Sequence, residues 1–113
     1  MHELSIVMSI VDIATKQTQQ ANALEVEEIE LVIGELSGVE MSSFDFAWTQ
    51  GIRDSVLKNA RREIIRPEGR AKCIDCDAEF TIHQFFDPCP YCNSHFVSIL
   101  QGKEMRVKSL VVK

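Results

Sequence analysis

The residues best suited to chemistry in this chain are four cysteines in two matched pairs, Cys73-Ile-Asp-Cys76 and Cys89-Pro-Tyr-Cys92. Two residues between cysteines let one tight turn aim both sulfurs at a single point. Two such turns facing each other place four thiolates at the corners of a tetrahedron. That is the closed geometry of structural zinc, with zinc–sulfur distances of about 2.3 Å. A tetrahedral four-sulfur set also suits iron, the main rival, which would bring a redox role that no other residue here supports. Disulfides are the bland alternative and are disfavoured in a reducing compartment. A thioredoxin-like reading fails because the CxxC occurs twice and neither copy opens a long helix.

A module of about 30 residues buries too little surface to fold unaided. The metal must therefore stabilise it, by on the order of 10 kcal/mol or more. Phe80, Phe85, Phe86, Tyr91 and Phe96 are expected to shield the thiolates. His83 and His95 lie near the cysteines in sequence and read as surface residues first; the sharper alternative is a histidine that replaces a thiolate and makes the site pH-sensitive.

A second candidate site is the amino terminus, Met1-His2-Glu3. A methionine followed by a bulky residue is expected to stay in place. The α-amine of Met1, the backbone nitrogen of His2 and its imidazole Nδ1 can then form consecutive five- and six-membered chelate rings. The backbone nitrogen of Glu3 can complete a planar four-nitrogen set, which selects Ni(II) or Cu(II). On its own, a histidine at position 2 is more often an incidental surface residue, and these residues alone leave both readings open.

Placing these groups requires one modest domain and a small appendage, which 113 residues allow. Apolar residues make up 45% of the chain, enough for a real core. A net charge of −5 argues against a basic nucleic-acid footprint. No apolar run is long enough to span a membrane. The opening residues lack a basic stretch before an apolar one, so no signal peptide is expected and the protein is expected to be cytoplasmic.

Residues 4–20 read as a helix whose polar stripe is Ser5, Ser9, Asp12 and Lys16. Its apolar arc, from Leu4 to Ala14, is wider than one face requires. The arc is expected to lie between a sheet and another helix, or in part to dock a partner. Residues 24–33 read as a strand with Ile29, Leu31 and Ile33 on one face. Ser42 looks like the N-cap of a second helix with Asp45 three residues on. Phe44, Ala47, Trp48 and Ile52 follow at helical spacing, and the helix is expected to fade near Asn59. Arg61 to Arg66 suits a short strand. From Glu104 to Val112 alternation returns, with Met105, Val107 and Val111 on one face. This last strand needs the sheet built from the first 67 residues, so the cysteine module is an insertion. Glu28 and Glu30 are expected to pair across with Arg106 and Lys108, at about 0.2–1 kcal/mol each.

The opening Met-His-Glu-Leu-Ser resembles the start of the hydrogenase nickel-incorporation proteins, the HypA/HybF family. The stretch from Ile33 to Glu40, the helix around Phe44 to Trp48, the paired CxxC and the last strand are similar too, so the resemblance covers essentially the whole chain. It implies an α+β fold: two helices packed on a three-stranded sheet, with an inserted four-cysteine zinc-ribbon-like domain. Residues 1–69 and 99–113 would form the nickel-binding domain and 70–98 the zinc-binding domain. It implies a nickel metallochaperone, not an enzyme, serving maturation of nickel–iron hydrogenase and in some organisms urease. His2 and the Met1 α-amine would hold Ni(II) as transferable cargo, with Glu3 at or beside the site. Glu40 matches an acidic position near the nickel site in some relatives. Cys73, Cys76, Cys89 and Cys92 would hold structural Zn(II). The implied partners are a nickel-handling maturation GTPase and the hydrogenase large-subunit precursor, with no nucleic acid or membrane, and the chain acting as a monomer or homodimer. One departure from relatives is that the first CxxC is followed by Glu79 where some carry a histidine. The alternatives are a zinc-ribbon interaction module without nickel transfer and a small iron-linked redox protein.

Overall fold

A computed structural model describes residues 3–113; Met1 and His2 lie outside the described residues. Helix α1 runs Glu3–Gln20 and buries Val7, Ile10, Ala14 and Thr18. These positions recur every three or four residues and make one face. The Thr18 hydroxyl, buried with them, donates to the Ala14 carbonyl at 2.7 Å, which satisfies it inside the helix. The buried stripe is narrower than the apolar arc in the sequence. Leu4, Met8 and Ile13 stay 53%, 47% and 44% exposed.

Strand β1, Val26–Ile33, buries Ile29, Leu31 and Ile33 as the alternation predicts, and also Val32. Helix α2, Met41–Gly51, buries Phe44, Ala47 and Trp48. It stops at Gly51 and continues as turns through residue 59. A Cβ at Gly51 would sit 2.6 Å from a Val7 methyl, so glycine lets the two helices close here. The expected Ser42 cap is not formed. Glu40 is the N-cap, and its carboxylate accepts from the Ser42 and Ser43 N–H groups. Asp45 instead bonds Arg62 at 2.8 Å. That guanidinium lies 5.2 Å from the Trp48 ring centroid and 5.9 Å from that of Phe44, so the cation adds to packing as well as charge.

Strand β2 is Arg61–Ile65, and β3 (Arg70–Cys73), β4 (Glu79–Thr81), β5 (Val97–Gln101) and β6 (Met105–Val112) follow. One sheet has the order β2-β1-β6, the other β4-β3-β5. The last strand thus joins the first sheet, as expected. Its burial does not keep strict alternation: Met105, Val107, Leu110 and Val112 are half-buried, and Val111 is exposed. Two successive exposed residues, Lys108 and Ser109, shift the phase. Lys108 meets Glu30 at 3.7 Å as expected. Glu28 bonds Arg61 on β2 rather than Arg106, because β1 is central and has a neighbour on each side.

Contacts divide the chain into two units. The first comprises the chain through Leu31, Val39–Ile64 and Val107–Lys113. The second comprises Val32–Gly38 and Ile65–Arg106. In the second, Leu36 joins Ala71, Cys73, Phe80, Ile82 and Cys89 in one buried cluster. Its N–H donates to the Gly102 carbonyl at 2.7 Å, and the Gly34 N–H donates to Glu104 O at 2.8 Å. A Cβ at Gly34 would fall 2.0 Å from Gly102 O, so only glycine permits this backbone approach.

Candidate metal centre

Each cysteine pair is built the same way. Cys73 ends β3, and its N–H donates to Ala78 O at 2.8 Å while Asp77 N–H returns to Cys73 O at 3.0 Å. Cys89 N–H donates to Ser94 O at 2.8 Å while Asn93 N–H returns to Cys89 O at 2.8 Å. Both turns need a residue with positive φ four positions after the first cysteine. Asp77 at 62° and Asn93 at 61° supply it, and Asp and Asn tolerate that region better than most side chains. These two residues are functional in shape though not in chemistry, and their signal was an acid or amide directly after each CxxC.

The four sulfurs lie within 4.8 Å of one another. Cys73 and Cys92 Sγ are 3.5 Å apart, and Cys76 and Cys89 Sγ 3.7 Å. A tetrahedron with metal–sulfur bonds of about 2.3 Å has edges of about 3.8 Å. The donor set therefore fits a tetrathiolate metal ion, and the cysteines are free rather than disulfide-bonded. Electrostatics point the same way. The Cys76 backbone N–H, outweighing burial, draws the Cys73 thiol down to about 7. For Cys92 the Ser94 N–H pulls downward, but Cys73, burial and the other two thiols outweigh it and push Cys92 up to about 12. Four sulfurs this close cannot all ionise until a divalent cation removes their mutual repulsion.

The expected aromatic shield is mostly absent. Phe80 is buried, at 5% exposure, against Cys73 and Cys89. Phe85, Phe86, Tyr91 and Phe96 are 54–73% exposed. The cysteine turns bury Cys73 and Cys89 through strands β3 to β5 and leave Cys76 and Cys92 exposed, so little apolar surface remains for those rings to cover. His83 and His95 are exposed, and neither belongs to the four-sulfur cluster.

Of the expected nickel residues, Met1 and His2 lie outside the described residues. Glu3 opens α1, half-buried, and its Oε2 accepts the Glu40 backbone N–H at 3.3 Å. Hydrogen bonds from Ser43 and then Ser42 hold the Glu40 carboxyl at about 2, well below its usual range. The structure thus brings Glu3 and Glu40 together, 37 residues apart in sequence.

Comparison with known proteins covers the chain end to end. The sequence model of the family described as "Hydrogenase/urease nickel incorporation, metallochaperone, hypA" matches residues 1–112. The hydrogenase maturation factor HypA of Parabacteroides distasonis is 50% identical over 115 residues, spanning 100% of this chain and 98% of that protein. Its namesake in Geotalea uraniireducens is 42% identical over 113 residues, spanning 100% of both. The solution structure of the Ni metallochaperone HypA from Helicobacter pylori superposes with a TM-score of 0.68 at 32% identity, covering 99% of this chain and 97% of that one.

Proposed function

We propose, because this chain belongs to the HypA family of hydrogenase/urease nickel-incorporation metallochaperones, that it binds Ni(II) through its amino terminus and hands it on during maturation of nickel–iron hydrogenase. The observation that carries this reading is a family match reaching residue 1, which takes in Met1, His2 and Glu3 together with both cysteine pairs. The ligands are the Met1 α-amine, the backbone nitrogen and Nδ1 of His2, and the backbone nitrogen of Glu3. Ligands that must lose a proton release the metal when protons return, which suits a carrier better than a trap. Urease is the second recipient this reading allows.

The four cysteines hold Zn(II), which when bound supplies folding stability to its unit rather than catalysis. Transfer takes place in the cytoplasm, with a nickel-handling maturation GTPase and the hydrogenase large-subunit precursor as the partners.

Calorimetric titration of Ni(II) tests the amino-terminal site. Tag-free protein should bind one equivalent. His2→Ala should bind at least tenfold more weakly. A chain extended by a few residues before Met1 should lose the site as well, because its α-amine has moved. Equal affinity in all three would overturn the assignment.

A further inference from the structure

Glu3 and Glu40 are both acidic residues assigned by resemblance to the nickel end of the molecule, yet the fold uses them differently. A carboxylate offers about four lone-pair positions. Three donors already engage those of Glu40. Its Oε1 accepts from Ser42 N–H at 3.3 Å and lies 2.8 Å from the Ser42 hydroxyl. Its Oε2 accepts from Ser43 N–H at 2.7 Å and lies 2.7 Å from the same hydroxyl. To turn towards a cation, this carboxylate would have to abandon the first turn of α2, whose free N–H groups have no other partner within the helix. Among the described residues, the Glu3 carboxylate caps no helix. One of its oxygens receives the Glu40 backbone N–H, and residue 3 directly follows His2.

We infer that Glu40 is a positioning residue for the amino-terminal site and not one of its ligands. The cap formed by its side chain fixes its own peptide unit, and the N–H of that unit holds the carboxylate of Glu3, the residue that follows His2 in the chain. The side chain and the backbone of one residue thus do two jobs in series. This rests on the amino-terminal nickel reading above, and the tests are chosen so that the two can fail separately.

Three substitutions at residue 40 divide the jobs. Glu40→Ala removes the cap and keeps the N–H. Glu40→Pro removes both, and the φ of −84° lies close to proline's own range. Glu40→Asp restores a cap from a side chain that serves well at this position. Nickel affinity is read by calorimetry, with zinc content and far-UV circular dichroism as folding controls. We expect Glu40→Asp within threefold of wild type, Glu40→Ala weakened by less than tenfold, Glu40→Pro at least tenfold weaker, and Glu3→Ala weakened to match. The double variant Glu3→Ala/Glu40→Pro should be no worse than either single change. A tenfold loss in Glu40→Ala with the fold intact, additive with Glu3→Ala, would make Glu40 a ligand and overturn the inference. The contact is also readable without nickel: Glu3→Ala should move the Glu40 amide proton resonance in nickel-free, zinc-loaded protein more than the amides of Ser42 and Ser43. An unmoved Glu40 amide overturns the inference whatever nickel does. Unchanged nickel affinity in His2→Ala overturns the amino-terminal site and leaves the amide result to stand or fall alone.

Discussion

The two units of this chain solve the same stability problem with different materials. The first buries Val7, Ile10, Val26, Ile29, Leu31, Phe44, Trp48 and Leu57 from two helices, a central strand and the turns that follow α2. The second has a cluster of six residues, two of which, Cys73 and Cys89, are also metal-ligand candidates. In the first, apolar area removed from water dominates. In the second the sulfur atoms count twice, as packing and as ligands. Losing the metal from the second unit is therefore equivalent to losing part of its core, whereas no single group has that leverage in the first.

The contrast can be broken most severely at the sulfurs. Cys89→Ser should abolish the metal site and unfold the second unit. The effect is on the order of 10 kcal/mol, the scale of zinc binding in small modules. Amide resonances of α1 and α2 should persist while those of β3 to β5 collapse, and metal analysis should find less than a tenth of an equivalent. Full metal content in this variant would refute the four-sulfur assignment.

A truncation in the apolar unit is the next step down. Phe44→Ala should cost about 3–5 kcal/mol, because a fully buried ring leaves a cavity that its neighbours fill only in part. Urea unfolding measures the loss, and metal content should be unchanged. Within the metal unit, two phenylalanines differ in burial and should differ in effect. Phe80→Ala should also cost about 3–5 kcal/mol and weaken metal retention against a chelator. Phe86→Ser, at a position 73% exposed, should stay within about 0.5 kcal/mol of wild type.

The smallest effect belongs to the α2 cap and shows only with pH. The folded Glu40 carboxyl is held at about 2 against a usual 4.5. A depressed pKa stabilises the fold above the unfolded value, and that stabilisation fades as pH falls through the folded value. The stability difference between wild type and Glu40→Gln should thus be constant above pH 5.5 and shrink between about pH 4.5 and 2. A difference that grows on acidification would contradict the cap. Metal-free protein at moderate salt is the sample for this measurement.

Much of this was legible in the sequence because long periodic segments carry redundant signals. α1 repeats its buried positions over about three turns, from Val7 to Thr18, and the β1 alternation ends at a glycine. The paired CxxC announces a metal tetrahedron by spacing alone. What escaped was short or non-local. β3, β4 and β5 have four, three and five residues, too few for a period to emerge. The Glu40 cap was hidden because Ser42 is the commoner N-cap type, and only the fold shows Asp45 committed to Arg62. The exposed aromatics were misread because sequence gives hydrophobicity without saying how little of the site is left to cover. The partner of Glu28 depended on sheet order, which no local pattern encodes.

The approach of Leu36 to Gly102 carries a consequence in time. The Leu36 amide is hydrogen-bonded at 2.7 Å, and its side chain sits in the cluster that contains Cys73 and Cys89. In heavy water that proton can exchange for deuterium only when the cluster opens. Its exchange rate therefore acts as a clock for metal release, read at one position that touches no metal. The clock should run slowly in loaded protein and fast once a chelator has acted.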